Sequence, residues 1–425
     1  MFNKIASTFV TKVLTAIINL VVAVLISRWA GAEGKGIQGL FIATLGMILT
    51  LTGIFGPISI TYLFNKKPSL NFVFISNLWA IVISLIIFLV LKAVPLIPIK
   101  YVPYLAVITF LASIATNNLS VFLIKERITK YNLALFSQPL FNVFFIVGFY
   151  LYKNSFSIED YLYSMMISYC VLFIYSLSGI RSLVKEKLSL NLAQLNSDVK
   201  SMFRYGILNQ LATIVQMISF RGSYFILDKY VSINDVGIYS NAVSIAESVW
   251  LISRSLSLVF YARMINTQSE SYHKRIYKRF SSMTFWFQIL ALAVLISIPA
   301  SFYIQLFGDE FSEIKSIIIY LIPAILFFGQ ALISGHYFSG TGKHHINLLS
   351  NSIGMIILIC LSLILIPLHS VYGAAIATGF GFLGLLLVQY FFLRRYINVS
   401  LFGKRIDSGW LKAWIRSIRG ACIVK

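Results

Sequence analysis

The sequence predicts an all-α polytopic membrane protein with twelve transmembrane helices in two six-helix lobes. Of its 425 residues, 58% are hydrophobic and only 12% are charged, whereas soluble globular proteins are usually about 25% charged. Long apolar stretches recur along the chain, and roughly 20 apolar residues suffice for a helix to cross a bilayer. No segment between these stretches is long enough to bury a separate soluble core.

Hydropathy divides these stretches into spans joined by mostly short connections. In order, the predicted spans are residues 8–27, 37–64, 72–94, 101–124, 132–152, 160–181, 206–227, 237–262, 284–307, 314–338, 346–368 and 371–393. The longest interior connection, 182–205, separates a predicted N-terminal lobe (1–181) from a C-terminal lobe (206–394). Residues 395–425 form a basic tail.

The distribution of charge supports an even number of spans. With the N-terminus inside, and with residues near the span ends assigned to the nearer side, 26 of the 35 Lys and Arg residues lie inside and 7 outside, and two, Arg221 and Arg254, lie deep within spans. When the acids are assigned in the same way, the net charge is +21 inside and −1 outside. Because cytoplasmic loops are enriched in Lys and Arg, both termini are expected to be cytoplasmic. Anionic lipid accounts for this basic character, and no nucleic-acid partner is needed.

The two halves of the chain contain a weak internal repeat. The segment ISRWAGAEGKGIQGL after span one aligns with LDKYVSINDVGIYSN after span seven, so that Gly36-Ile37 matches Gly237-Ile238. Both halves begin on the inner side, so the repeat is parallel. Parallel repeats are typical of transporters, whose substrates bind between the repeats.

Two segments have the pattern of interfacial helices. In the connector, apolar residues recur at steps of three and four over residues 185–204, with basic residues among them, which predicts an amphipathic helix on the inner surface. The tail has a similar pattern, and for it a disordered basic segment is an equal alternative.

Polar side chains recur at helical spacing in several spans. The amides among them are candidates to line a polar cavity: Asn19, Asn117, Asn209, Gln210, Gln216 and Asn241. Small and hydroxylated residues also hold membrane helices together, and this packing role is the alternative, especially in spans one and four. Amides that occur beside charges, as in spans seven and eight, more often face a wet interior.

Charged residues within spans are the main functional signal. Arg221 in span seven and Glu247 and Arg254 in span eight would lie at successive depths, with Arg28 at the outer end of span one. Guanidinium groups suit phosphate because they donate paired hydrogen bonds and keep their charge. Glu247 would compete for an arginine or take up a proton. The alternative is structural: the arginines reach the interfaces along their stems and Glu247 neutralises Arg221.

The sequence gives little support for a disulfide or a metal site. The three cysteines, Cys170, Cys360 and Cys422, have neither metal-site nor disulfide spacing. The adjacent His344 and His345 cannot share a helix face, so a plain loop is favoured over a metal site. No cofactor and no metal are therefore expected.

Four segments together resemble the oligosaccharide repeat-unit flippases of O-antigen and capsule synthesis. They are ISRWAGAEGKGIQGLF, DKYVSINDVGIYSNA, SGTGKHHINLLSN and LIPLHSVYGAAIAT, and their order and spacing cover nearly the whole chain. The family belongs to the superfamily of multidrug, oligosaccharidyl-lipid and polysaccharide exporters. The resemblance implies the multidrug/toxic-compound extrusion fold, a central cavity and alternating access.

The resemblance also implies a substrate and a location. The substrate would be an undecaprenyl-pyrophosphate-linked oligosaccharide, moved from the inner to the outer leaflet of the bacterial inner membrane for lipopolysaccharide or capsule. Arg28 matches the family's arginine at the exit of span one, and Asp228 its acid at the exit of span seven. Arg221 and Arg254 resemble the family only as charged residues in the helices that would face the cavity. Implied partners are membrane lipid, protons or sodium as the coupling ion, a polysaccharide polymerase and a chain-length regulator.

Two other functions remain open at this point. One is a drug or ion antiporter of the same fold. The other is an enzyme, a polytopic polysaccharide polymerase or glycosyltransferase, which would need paired carboxylates or a metal in the aqueous phase. The outer loops are short, and their one acid cluster, Asp309, Glu310 and Glu313, is explained by the N-terminus of span ten. The sequence therefore favours a transporter and not an enzyme.

Overall fold

The structure is a computed structural model that describes residues 2–93, 95–184, 190, 192–265 and 269–398. All regular secondary structure among these residues is helical. The α-helices are α1 (Phe2–Thr52), α2 (Pro57–Lys66), α3 (Asn71–Ala93), α4 (Val102–Ile124), α5 (Ile128–Lys153), α6 (Ile158–Val184), α7 (Leu195–Tyr230), α8 (Ile233–Glu247), α9 (Trp250–Ile265), α10 (Glu270–Ser297), α11 (Ala300–Phe307), α12 (Ile314–Gly340) and α13 (His344–Ile397).

The predicted spans fall on these helices in order, which confirms the all-α multi-pass fold class. Helices α1 and α13 supply two spans each, because they kink at Gly31 (φ 66°) and Ser370 (φ 49°). In the described part of the chain, eight helices are long and apolar enough to cross a membrane, or nine if the bent pair α8–α9 counts as one span. The more polar helix α7 carries span seven.

Three predicted spans are interrupted. Span two breaks at residues 53–56, and α2 then starts at Pro57, whose missing N–H is harmless in a first turn. Span nine breaks before Pro299, and span eight bends by 41° after Glu247. By contrast, Pro139 and Pro323 lie inside uninterrupted helices.

The sequence predicts a separate surface helix in the connector between the lobes, and the structure shows a different arrangement there. Residues 195–204 are the first turns of α7, which continues without a break into span seven. The apolar stripe, including Val199 and Met202, packs into a core cluster with Phe55 and Phe72 instead of lying on lipid. Most of the rest of the predicted helix, 185–189 and 191, lies outside the described residues, as does the tail from residue 399 onward.

The described chain forms two compact units. The first contains Met1–Val243 with two short additions, Pro299–Ile317 and Leu361–Ala374. One core lies among the 53–56 break, α2, α3 and α7, with residues from the ends of α4 and α6, and a second lies between α4, α5 and α6. The unit thus combines all of the predicted N-terminal lobe with the start of the C-terminal one, and the predicted division into lobes at 182–205 stays a prediction.

The second unit contains Ser244–Ile298, Ile318–Cys360 and Ala375–Lys425. Its described core is aromatic, with Phe260 of α9 packed on Tyr277 and Phe280 of α10. Residues of α12 and of both ends of α13 complete this core.

Within the first unit, α1 and α8 meet backbone to backbone at two glycines. A Cβ atom at Gly36 would overlap the carbonyl oxygen of Ile233, and one at Gly237 would overlap that of Ala32. A Cβ at Gly237 would also lie 3.0 Å from the amide nitrogen of Gly36. Such close approach requires residues without side chains. Gly36 and Gly237 are the positions that the sequence repeat aligns, and their contact is reciprocal.

Replacement of Gly237 by alanine is therefore expected to destabilise the protein by about 1–3 kcal/mol, because the new methyl group forces α1 and α8 apart. Thermal unfolding in detergent measures the change. Gly148 is the matched control, since a Cβ there meets nothing within 4 Å, and Gly148→Ala should leave the melting temperature unchanged or raise it. Equal melting temperatures for Gly237→Ala and the native chain would contradict the close contact.

Candidate functional site

The kink in α1 is held by the segment that follows α11. Arg28, just before the kink, donates from its Nε to the Leu306 carbonyl oxygen at 3.0 Å. Just after the kink, the Ala32 amide donates to Oε2 of Glu310 at 2.5 Å. The Glu310 carboxylate also lies against Gly31, where a Cβ would be 3.1 Å from Oε2. We call these contacts, among Arg28, Ala32, Leu306 and Glu310, the α1 latch.

A second connection joins the start of α8 to the kink of α13. Asp235 accepts a hydrogen bond from the Ser232 hydroxyl, and its own amide donates back to that hydroxyl at 3.1 Å, which caps the helix. The other carboxylate oxygen accepts from the hydroxyl of Ser370 at 3.2 Å. Both connections join parts of the chain that are far apart in sequence.

Arg221 lies half-buried on α7 of the first unit. Its Nη1 donates to the carbonyl oxygen of Phe220 at 3.2 Å, and the guanidinium lies 5.4 Å from the ring centroid of Tyr224. The positive charge of Arg221 also acts on a second cation, Lys35 of α1.

Lys35 is a candidate that the sequence pattern missed. It is only 6% exposed, and its ammonium donates to Oε1 of Gln38 at 2.6 Å. The amide of Gln38 is in turn hydrogen-bonded to the hydroxyl of Tyr161, which is 2% exposed. In the sequence Lys35 belongs to a glycine-rich stretch, GAEGKGIQG, which resembles a loop. The available signal was the repeat, because matching glycines indicate close packing of two backbones.

Three of the predicted polar residues are buried and bonded within the first unit. Asn241 donates to the Ser27 hydroxyl at 2.7 Å, Gln210 to the Gly53 carbonyl oxygen at 3.2 Å, and Asn117 to Oδ1 of Asn77 at 3.3 Å. These three hydrogen bonds join α8 to α1, α7 to the break in span two, and α4 to α3. Such contacts fit the packing alternative. The Oδ1 atom of Asn241 has no hydrogen-bond partner.

The other predicted residues of the first unit are more accessible. Asn19 and Asp228 are exposed, and Gln216 is half-buried on α7. The side chain of Asn209 lies outside the described residues.

Glu247 and Arg254 belong to the second unit, whereas Arg221 belongs to the first. Glu247 is half-buried at the last residue of α8, and Arg254 is exposed on α9. A 41° bend between α8 and α9 falls between these two residues. Arg254 is exposed, and so are three serines near it in sequence, Ser244, Ser248 and Ser255.

The bend has a local cause and a tertiary anchor. Ser248 and Val249 donate their amides to the carbonyls three residues earlier, and the Ser248 hydroxyl also donates to Ile245 at 2.6 Å. Trp250, 2% exposed, then donates from Nε1 to the carbonyl oxygen of Ile325 at 3.0 Å. The buried indole thereby fixes the start of α9.

The second unit also contains an apolar groove between α12 and the last part of α13. Its volume is about 380 Å³, and Pro323, Phe327, Ile376 and Phe380 are among its lining residues. Its surface is almost entirely apolar, which suits a hydrocarbon chain.

Loss of the Glu310 carboxylate should release the α1 latch, since the Ala32 amide would lose its acceptor. We expect Glu310→Ala to speed hydrogen exchange at residues 29–33, measured by mass spectrometry on protein in detergent. A lost bond of about 1 kcal/mol would raise local exchange roughly fivefold. Asp309→Ala removes an exposed neighbouring acid and is the control. Unchanged exchange in Glu310→Ala would exclude the latch.

Comparisons with known proteins identify the fold. No family model and no curated protein matches the sequence. An inward-facing multidrug resistance MATE transporter of the MOP superfamily is 15% identical, with 90% of this chain and 94% of that chain covered and a TM-score of 0.74. The lipid II flippase MurJ in an inward closed conformation is 14% identical, with coverages of 93% and 88% and a TM-score of 0.75. An outward-facing MATE transporter is 14% identical, with coverages of 92% and 94% and a TM-score of 0.61. The chain therefore has the fold of the MATE transporters and of the lipid II flippase MurJ, which is the fold that its sequence resemblance implied.

Proposed function

We propose that this protein is a flippase that moves an undecaprenyl-pyrophosphate-linked oligosaccharide from the inner to the outer leaflet of the bacterial cytoplasmic membrane. It would act by alternating access in the synthesis of O-antigen or capsule. Arg28, Arg221 and Arg254 would bind the diphosphate, while Glu247 and Asp228 would act as charge partners, with protons or sodium as the coupling ion. A polysaccharide polymerase and a chain-length regulator would act on the product.

The main observation behind this proposal is that the charged side chains within the helices are mostly positive. Arg221 is half-buried on α7, Lys35 is buried on α1, and Arg254 is exposed on α9. Cationic side chains are costly within a membrane segment and usually mark a substrate path. Arginine and lysine suit a diphosphate, so an anionic substrate fits these residues better than a cationic one.

The fold and the apolar groove give further support. A protein of similar fold is named as a lipid II flippase, and a lipid-linked cargo has a hydrocarbon tail as well as a charged group. The groove between α12 and α13 offers an apolar surface for such a tail. Neighbours with this fold are transporters and flippases, which supports transport over an enzymatic role.

A drug or ion antiporter is the second candidate, because multidrug resistance transporters have an equally similar fold. A cationic drug would require carboxylates within the membrane segments. Away from the ends of the predicted spans, the sequence has one acid, Glu247, against two arginines, Arg221 and Arg254. This balance favours the flippase.

Vesicles that contain the purified protein and a fluorescent undecaprenyl-pyrophosphate oligosaccharide test the proposal directly. The native chain should move the lipid to the other leaflet without lengthening its sugar, whereas a polymerase would lengthen it. Arg221→Gln and Arg254→Gln should each slow this movement about tenfold or more, since a lost charge-assisted hydrogen bond costs about 1.5–3 kcal/mol. Lys229→Gln, which removes an exposed cation from α7, is the control. Full activity in both arginine variants would assign these side chains to the interfaces.

The role of Glu247 is tested by an imposed proton gradient in the same vesicles. If its carboxylate takes up the coupling proton, Glu247→Gln should abolish the acceleration by the gradient and leave slow basal movement. Asp309→Asn, at an exposed acid, should keep the acceleration. A Glu247→Gln protein that responds fully would rule out this coupling role.

A further inference from the structure

Five helix ends on one side of the second unit meet in a single apolar core. They are the end of α9, the start of α10, the end of α12 and both ends of α13. Each end contributes buried residues to this core, among them Met264, Tyr277, Phe338, Ile346 and Leu393. The charge distribution of the sequence predicts that this side of the protein is cytoplasmic.

Close contacts bring these helix ends together. A Cβ atom at Gly340 would lie 2.8 Å from the Cβ of Met264, so the end of α12 packs directly on the end of α9. The Nζ atom of Lys343, immediately before α13, lies 3.2 Å from the ring centroid of Tyr396, near the other end of that helix. The side chains that surround this core therefore belong to one surface.

That surface is strongly basic. The segments 263–279, 343–345 and 394–395 hold eight Lys and Arg residues and one acid, Glu270. Buried residues of the core alternate with exposed cations at helical spacing, so the cations point away from the core. We call five of these exposed cations the basic surface: Arg263, Arg275, Lys278, Arg394 and Arg395.

The chain itself supplies little negative charge to the basic surface. At helix ends of the first unit, by contrast, basic side chains lie close to acids. The Nζ atom of Lys67 is 3.7 Å from a carboxylate oxygen of Asp198, and that of Lys100 is 3.0 Å from one of Glu159. Since the segments of the basic surface contain a single acid, the counter-charge must come mainly from outside the protein.

An exposed apolar zone lies next to the basic surface on the same helices. Leu258 of α9 is 65% exposed, Phe391 of α13 is 65% exposed and Trp286 of α10 is 49% exposed. Along the helix axes these residues are about 5–12 Å from the nearest cations, at 1.5 Å per residue. A ligand that contacts both zones must combine a negative group with a hydrocarbon chain.

We propose that the basic surface binds the headgroups of anionic phospholipids, whose acyl chains lie along the exposed apolar residues of α9, α10 and α13. Basic clusters at the cytoplasmic ends of membrane helices bind anionic headgroups in this way. An acidic soluble protein would contact only the cations and would leave the apolar zone without a role. The bound lipid is a resident of the membrane and not the transported cargo, so the proposal does not depend on the proposed function.

Thermal unfolding of the full chain in phosphatidylcholine–detergent micelles, titrated with phosphatidylglycerol at constant ionic strength, tests the site. The native protein should melt at a higher temperature as phosphatidylglycerol is added, because a ligand that binds only the folded state stabilises it. The double variants Arg275→Gln/Lys278→Gln and Arg394→Gln/Arg395→Gln should each weaken the apparent affinity about 10- to 30-fold. This is the loss expected when two cations are removed from an anionic lipid surface.

Two matched variants control for general effects of charge. Lys92→Gln/Lys229→Gln removes two exposed cations from the first unit and should keep the native affinity. Arg275→Lys/Lys278→Arg preserves the charge of the basic surface and should also keep it. A loss of affinity in the first control as large as in the test variants would reduce the effect to the net charge of the protein and overturn the site.

Hydrogen exchange on the native chain gives a test that does not require a variant to fold. Phosphatidylglycerol should slow exchange at residues 270–275 and 394–398 relative to phosphatidylcholine, since a bound headgroup restrains the helix ends. Unchanged exchange there would overturn the proposal, as would the absence of stabilisation of the native chain by phosphatidylglycerol.

Soluble anions distinguish the lipid from other partners. Glycerol 1-phosphate has the charged group without the acyl chains, and a polyglutamate peptide represents an acidic protein. Each should stabilise the native chain far less than phosphatidylglycerol at the same concentration. Equal stabilisation by glycerol 1-phosphate would remove the role of the apolar zone, and equal stabilisation by polyglutamate would assign the basic surface to an acidic protein. Either result would reject the lipid site.

Discussion

The close contact between Gly36 and Gly237 is the constraint on which the first unit depends. Because neither residue has a side chain, the backbones of α1 and α8 touch, and the hydrogen bond from Asn241 to Ser27 becomes short. Lys35, the neighbour of Gly36 in sequence, is buried on the same stretch of α1. The hydrophobic effect provides little specificity among membrane helices, and close packing of small residues takes its place.

Polar side chains donate hydrogen bonds to backbone carbonyls both at a helix break and within a helix. Gln210 donates to the carbonyl of Gly53 at the break in span two, and Trp250 and Gln288 both donate to the carbonyl of Ile325. A membrane offers no water for such groups, so the protein must supply the partner itself. This requirement explains why many amides of the sequence are buried in helix contacts and do not line an aqueous surface.

The α1 latch, Lys35 and the Gly36–Gly237 contact all involve one stretch of α1 in the first unit. Arg28 and Glu310 hold the kink at Gly31, and Lys35 follows one turn later, buried with its ammonium bonded to Gln38. Under the proposed function, a movement of α1 during alternating access would change the contacts of the latch.

The sequence by itself determined the fold class, the helix order and the repeat, because hydropathy over some 20 residues and charge alternation are properties of composition along the chain. It also identified Arg28, Arg221, Glu247 and Arg254 as unusual residues for a membrane. Only the tertiary structure decided that span eight bends after Glu247, that residues 195–204 belong to α7, and that Lys35 is buried. The first two depend on partners far away in sequence, the carbonyl of Ile325 and the core around Phe55, and a local pattern contains no information about such partners.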